Sequence, residues 1–135
     1  MRDRKEIERE IKFRAWDKEK KEIRDVTGIN WYDEYIWVDK TPMTGDKLPI
    51  ESTPLMQYTG LKDKNGVEVY EGDVLENDDY TGEVVYDEDE DEARFVLQSY
   101  TDGSNGMIAG VKTYSPIEGE IVGNRFENPD LLNTK

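Results

Sequence analysis

The feature that most constrains the fold is the shortness of the apolar runs and the regular spacing of the turns between them. The longest uninterrupted apolar runs, such as residues 35–38 (YIWV), have only four residues. A membrane-spanning helix needs about 20 apolar residues. Strand-like segments instead recur at intervals of about ten residues between glycine-containing turns, a spacing typical of small antiparallel barrels and sandwiches. The chain is therefore predicted to be mainly β, with little helix.

The N-terminal part of the chain divides into three segments. Residues 1–10 are charged at nearly every position and are predicted to form a charged arm. Between residues 11 and 40, alternating apolar and polar positions and aromatic-rich stretches indicate an antiparallel β-meander of about three strands. Residues 41–55 contain three prolines and Gly45 among polar residues, so they are predicted to be a connector.

The C-terminal part, residues 56–132, has different turn signals. Asn65-Gly66 is the strongest hairpin signal in the chain, because both residues tolerate positive φ. Short β-forming segments follow around residues 74–75, 82–86, 93–97 and 120–123. These segments predict a small antiparallel barrel. With 135 residues, the whole chain (1–135) is expected to form a single domain.

Charge restricts the partners that the protein can bind. The net charge is −14, and residues 25–135 alone hold 25 acidic and eight basic residues, which makes them net −17. Such a surface repels nucleic-acid phosphates and anionic lipids. Neither direct nucleic-acid binding nor membrane binding is therefore expected, and a basic protein is the expected partner.

Two missing residue types restrict the chemistry. The sequence contains no Cys and no His, which excludes Cys/His zinc sites, thiolate nucleophiles and imidazole acid–base catalysis. We expect a protein without enzymatic activity and without cofactors, and we assign no catalytic, cofactor-binding or metal-binding residues. Because Cys and a secretion-signal pattern are both missing, a cytoplasmic location is expected.

The acidic run at residues 87–92 has the partial spacing of a calcium loop. Asp87, Asp89 and Asp91 match positions 1, 3 and 5 of an EF-hand, but Glu92 stands where a glycine is needed and Gln98 where a bidentate glutamate is needed. We predict a mobile, solvated turn there. Glu71 and Asp73 flank Gly72 as a carboxylate pair, but these residue types are also ordinary in turns.

Aromatic residues and strand edges predict how the protein packs and associates. Trp16, Trp31 and Trp37 are predicted to pack in the core or between sheets. Only 35% of the residues are hydrophobic, so burial of a strand edge or a sheet face in an oligomer is expected. An alternative use of the acidity is mimicry of DNA phosphates to block a nucleic-acid-binding protein.

Three stretches resemble the YopX family of prophage and phage proteins. They are residues 11–17 (IKFRAWD), residues 56–66 (MQYTGLKDKNG) continuing to 70–74 (YEGDV), and residues 122–132 (VGNRFENPDLL). The resemblance implies a small phage-encoded cytoplasmic protein with an SH3-like barrel element in the C-terminal half. It carries over no catalytic residues. Together with the acidic charge, this origin makes a basic protein of the host or the phage the expected partner.

Overall fold

The structure is a computed structural model that describes residues 10–40, 44–78, 81–88, 93–102, 108–113 and 119–132. The predicted charged arm therefore lies outside the described residues, apart from Glu10. The chain divides into two compact units, Met1–Gly60 and Leu61–Lys135. The boundary between the units lies a few residues after the start of the predicted C-terminal half.

Regular structure in the described residues consists of antiparallel strands and two 3-10 turns, Ile50–Ser52 and Pro129–Leu132. The strands are β1 (Phe13–Asp17), β2 (Glu22–Asn30), β3 (Tyr35–Val38), β4 (Asp46–Pro49), β5 (Leu55–Lys62), β6 (Glu68–Tyr70), β7 (Asp73–Glu76), β8 (Thr81–Glu88), β9 (Ala93–Asp102), β10 (Ile108–Thr113) and β11 (Glu120–Asn124). The prediction of a mainly β protein with little helix is confirmed.

The first sheet has the strand order β4-β3-β2-β1-β5-β6, and β5 runs across the boundary between the units. Strands β1, β2 and β3 pair in succession, which confirms the predicted meander. The core of the first unit contains Ala15, Ile36 and Val38, which are fully buried. Half-buried aliphatic residues pack against them: Val26, Ile29, Leu48, Ile50 and Leu55.

The alternation of strand side chains gives β3 two different faces. Ile36 and Val38 point into the core, while Tyr35 and Trp37 lie half-buried on the opposite face. Full burial of an aliphatic side chain stabilises a fold by about 1.5–3 kcal/mol. The free energy gained by burying Ile36 and Val38 holds β3 in register. The same register places Tyr35 and Trp37 on the opposite face of the strand.

The predicted connector contains β4, the outer strand of the first sheet. The proline-rich composition of this segment gives no strand signal. Pro49 nevertheless destabilises the strand little, because it lies at the end of an edge strand, where one side of the ladder is unpaired. Residues 41–43 lie outside the described residues. The 3-10 turn Ile50–Ser52 follows β4 directly.

The second sheet has the order β10-β9-β8-β7-β11. The core of the second unit contains the buried residues Val69, Leu75, Val84 and Leu97, with Phe95 and Ile121 packed against them. Strands β10 and β11 stand at opposite edges, so the sheet is open over the part of the chain that the structure describes. The closed barrel expected for residues 56–132 is therefore not formed there, since closure requires pairing of the outer strands.

The acidic run is shorter as a turn than predicted. Asp87 and Glu88 belong to β8, and they pair with Arg94 and Ala93 of β9. Residues 89–92 lie outside the described residues. The prediction of a turn is therefore wrong for Asp87 and Glu88, because their backbone pairs in the hairpin ladder.

Candidate functional site

The most exposed large aromatic side chains described in this protein lie at the turn between β2 and β3. Trp31 is 69% exposed and Tyr32 is 94% exposed. We call residues 31–34 the hairpin tip. The prediction that Trp31 packs in the core is wrong, because this turn carries the side chain beyond the strand ladder. Trp16 and Trp37, which lie in strands, are half-buried.

The hairpin tip is fixed by hydrogen bonds at both ends. Asn30 Oδ1 accepts the Asp33 backbone N–H at 2.8 Å, and Asn30 Nδ2 donates to the Tyr35 hydroxyl at 3.3 Å. The backbone oxygen of Glu34, a residue with φ of 59°, accepts the Ile50 N–H at 3.1 Å. The tip is therefore preformed, which lowers the ordering entropy that a binding surface loses on association.

A groove of about 400 Å³ lies beside the hairpin tip. We call it the aromatic groove, and its lining residues are Asp33, Glu34, Tyr35, Lys47, Leu48, Pro49 and Glu51. Tyr35 and Trp37 form an edge-to-face pair with ring centroids 5.5 Å apart. Lys47, which lies opposite Trp37 in the β3–β4 ladder, places its Nζ 4.8 Å from the Tyr35 centroid and 5.4 Å from the Trp37 centroid.

The charges around the aromatic groove favour a cationic ligand. Its lining includes three carboxylates against one ammonium group. Within the described residues, neither Glu34 nor Glu51 takes part in an ion pair with a described basic group. Acidic side chains beside exposed aromatic rings can attract a basic group and then hold its apolar stem.

A second cluster, in the first unit, is ionic and centred on a buried arginine. Arg24 is 6% exposed; its Nη1 donates to Asp17 at 2.8 Å, its Nε to Asp39 at 2.8 Å and its Nη2 to Asp46 at 2.7 Å. Hydrogen bonds to Asp39 and Asp46, despite burial, raise the pKa of Arg24. Burial alone would raise the pKa of Asp17, but hydrogen bonds from the Lys20 N–H and from Arg24 lower it on balance.

This ionic cluster joins separate segments of the first unit. It links β1, β2, β4 and the residue that follows β3. Arg24 stands opposite the core residue Ala15, and Asp46 stands opposite Val38. Because all three carboxylates converge on one guanidinium, the cluster holds the edge of the core together.

In the second unit, the long motif at residues 56–66 contains a carboxylate that holds two chain segments. Asp63 accepts backbone N–H groups from Asn65 at 2.8 Å, Val67 at 2.9 Å and Ile121 at 3.0 Å. These bonds, the one from Ile121 foremost, lower the pKa of Asp63. Gly66 takes the positive φ of 83° that the Asn65-Gly66 signal predicts. This part of the motif stabilises a hairpin.

The other motif residues also serve turns. Asp73 accepts the Tyr70 N–H at 2.8 Å, which places its carboxylate inside the bend around Gly72. Asn124 Oδ1 accepts the N–H groups of Phe126 and Glu127 at 3.0 and 2.8 Å. A Cβ on Gly123 would lie 2.5 Å from Asn128 Oδ1, so a larger residue here would displace the Asn128 side chain. The carboxylate pair of Glu71 and Asp73 is thus part of a turn.

Among the described segments, no group of three or more acidic side chains is placed to hold a metal ion. None of their helical segments is long and apolar enough to cross a bilayer. Asp89 and Asp91 of the calcium-like spacing lie outside these segments, so the prediction for that run stays a prediction.

The fold and these sites define a β protein of two antiparallel sheets whose motif residues support turns and whose two most exposed aromatic residues lie on an acidic hairpin. The chain belongs to the YopX family: residues 12–133 match the family described as YopX protein. The family resemblance of the three stretches is therefore confirmed.

One solved structure extends the comparison to the fold. The crystal structure of protein EF1440 from Enterococcus faecalis is 27% identical to this chain, with a TM-score of 0.55. The match covers 93% of this chain and 100% of that chain. A search of the curated proteins finds no match.

Proposed function

We propose that this chain is a non-enzymatic, phage-encoded, cytoplasmic protein that binds a basic host or phage protein through the hairpin tip and the aromatic groove. The observation that carries the proposal is the exposure of Trp31 and Tyr32 on a preformed turn. Isolated exposed apolar residues are ordinary on protein surfaces. Two adjacent aromatic residues that continue into an aromatic groove make a contact surface of the kind used for protein binding.

The residue types at the tip fit this use. Trp and Tyr are the side chains most enriched among residues that dominate binding energy in protein interfaces. The acidic groove and the net charge of −14 would attract a basic partner over long range and raise its association rate. This charge contribution is expected to weaken as salt rises.

The proposal includes self-association. Strand β4 is an outer strand of the first sheet, and β10 and β11 are the outer strands of the second. Outer strands offer unpaired backbone groups that another chain can pair with. The high negative charge opposes association of like chains, so an oligomer of this protein is expected to be favoured by salt.

Partner capture with matched variants tests the binding proposal. The wild-type chain, the double variant Trp31→Ala/Tyr32→Ala and the control Val67→Ala are immobilised and exposed to host and phage lysates at about 0.15 M salt and above. Val67 is a suitable control because it is 52% exposed in the second unit. We expect the wild type and the control to retain the same basic protein and the double variant to lose it.

Two outcomes discriminate the alternatives. Equal retention by the double variant would refute binding through the hairpin tip. Retention of a nucleic-acid-binding protein that duplex DNA displaces would favour DNA mimicry, the second function that the acidic charge supports. Circular dichroism of the three proteins checks that the substitutions leave the sheet intact.

A further inference from the structure

We propose that the Tyr35–Trp37 pair is the recognition site for an arginine or lysine side chain of the partner protein, and that Lys47 occupies this site in the free protein. This inference rests on the proposed function and specifies the chemistry of its site. Its starting point is the position of the Lys47 ammonium, which lies over both rings, 4.8 and 5.4 Å from their centroids.

The contacts of Lys47 show that the rings accept a cation. The aromatic groove offers three carboxylates, yet Lys47 forms no ion pair within the described residues, and its ammonium contacts the two ring systems instead. A cation over an aromatic face is held by the ring quadrupole and keeps part of its hydration at an exposed site. The internal lysine therefore takes the place that an external basic side chain would take.

The strand register explains why this arrangement can be exchanged. Lys47 lies on the outer strand β4 and is exposed, so its side chain can rotate into solvent without disturbing the core. Tyr35 and Trp37 belong to the inner strand β3, where Ile36 and Val38 are fully buried between and beside them. The ring platform is thus fixed, whereas its occupant is a flexible side chain.

The carboxylates make the exchange favourable for a stronger ligand. Glu34 and Glu51 line the same groove and form no ion pair with the described basic groups. An incoming guanidinium can stack its flat face on a ring and at the same time donate hydrogen bonds, in its own plane, to a carboxylate. An ammonium group lacks this planar geometry. A partner arginine is therefore expected to displace Lys47 more effectively than a partner lysine.

The test compares two lysine substitutions that change the charge equally. Lys47→Ala removes the internal occupant, and Lys40→Ala removes an exposed lysine of the same unit that does not line the groove. Binding of an acetylated, amidated hexa-arginine peptide is measured by titration calorimetry, with hexa-lysine in parallel. We expect Lys47→Ala to bind hexa-arginine about two- to fivefold more tightly than Lys40→Ala, the range that one exposed cation–π contact supplies.

Substitution of the ring identifies the site. In the Lys47→Ala background, Tyr35→Phe should keep the gain in affinity, and Tyr35→Leu should abolish it. Equal affinity of the two lysine variants would overturn the proposal, because only overall charge would then matter. A gain that persists in Tyr35→Leu would overturn it as well.

A direct observation supplements the variants. In the wild-type protein, ring currents should shift the ε-methylene protons of Lys47 upfield, and saturating hexa-arginine should return them to the position of a free lysine. If the protons do not move while the peptide binds, the displacement is refuted. Spermine serves as a second probe, and tighter binding of spermine than of hexa-arginine would assign the site to a free polyamine and overturn the protein ligand.

The two proposals fail separately. The peptide experiment depends on Lys47 and Tyr35, whereas the capture experiment depends on Trp31 and Tyr32. Loss of capture by the tip variant together with equal affinities of the two lysine variants would leave the proposed function standing and overturn the recognition site at Tyr35 and Trp37.

Discussion

Replacement of Arg24 by methionine should destabilise the first unit strongly. The substitution replaces the stem of the side chain by an unbranched apolar chain and removes the guanidinium that holds three aspartates. Asp17 is 4% exposed, so it would become a buried charge without an ionic partner, whereas Asp39 and Asp46 are 47% and 58% exposed and would be hydrated. Loss of one partner from a buried pair costs about 3–5 kcal/mol. Each exposed pair contributes at most about 1 kcal/mol.

The free energy of unfolding should therefore fall by about 3–5 kcal/mol, and the Asp17 pair should account for most of it. Urea denaturation followed by tryptophan fluorescence measures this fall in the relevant unit, because Trp16, Trp31 and Trp37 are the only tryptophans of the chain. The matched control is Lys20→Met, whose exposed ammonium lies 3.5 Å from Asp46. This control should lose less than about 1 kcal/mol.

A double variant separates the buried charge from packing. Asp17→Asn keeps the side-chain oxygen that accepts the N–H groups of Glu19 and Lys20 at 3.0 and 3.1 Å. In the Arg24→Met background it removes the stranded charge, so the double variant should be more stable than Arg24→Met alone. A loss below about 1 kcal/mol in Arg24→Met, or no recovery in the double variant, would refute the reasoning about a buried unpaired carboxylate.

Three further predictions concern pH, backbone geometry and association. Because the pKa values of Asp17 and Asp63 are lowered in the folded state, the stability that they contribute should be complete above their unfolded pKa of about 3.9 and should disappear as the pH falls through the folded values. Urea midpoints between pH 7 and 2 should show this fall, and Asp17→Asn should make it smaller. Gly119→Ala should destabilise the second unit more than Gly66→Ala: a Cβ on Gly119 would lie 2.7 Å from the Glu76 backbone oxygen, whereas nothing lies within 4 Å of one on Gly66. Thermal unfolding by circular dichroism ranks the two variants, and the reverse order would contradict the steric argument. Sedimentation at low salt and at about 0.5 M salt should show an oligomer that salt strengthens, since screening shortens to a few Å there; a monomer in both conditions would exclude the proposed self-association.

Local patterns in the sequence were sufficient for the strands and for the turns that depend on backbone conformation. Alternation between residues 11 and 40 predicts the meander because side chains of a strand point to its two faces in turn. Asn65-Gly66 predicts its turn because glycine adopts positive φ without strain. Net charge likewise follows from residue counts alone, and with it the expectation of a basic partner.

Tertiary structure decided the features that depend on residues distant in sequence. Trp31 is exposed because the pairing of β2 with β3 places it beyond the ladder, whereas Trp37 lies inside the strand. Strand β4 forms because its segment, although rich in proline, pairs with the edge strand β3 of the meander.

The charged clusters are the clearest case of contacts that the sequence alone does not predict. Arg24 meets Asp17, Asp39 and Asp46 across separations of seven to 22 residues, and Asp63 reaches Ile121 across 58. In the sequence these residues are ordinary members of a chain in which 37% of positions are charged. Only the folded chain removes a few of them from water, and a buried charge must find its partner there because desolvation makes an unpaired one costly.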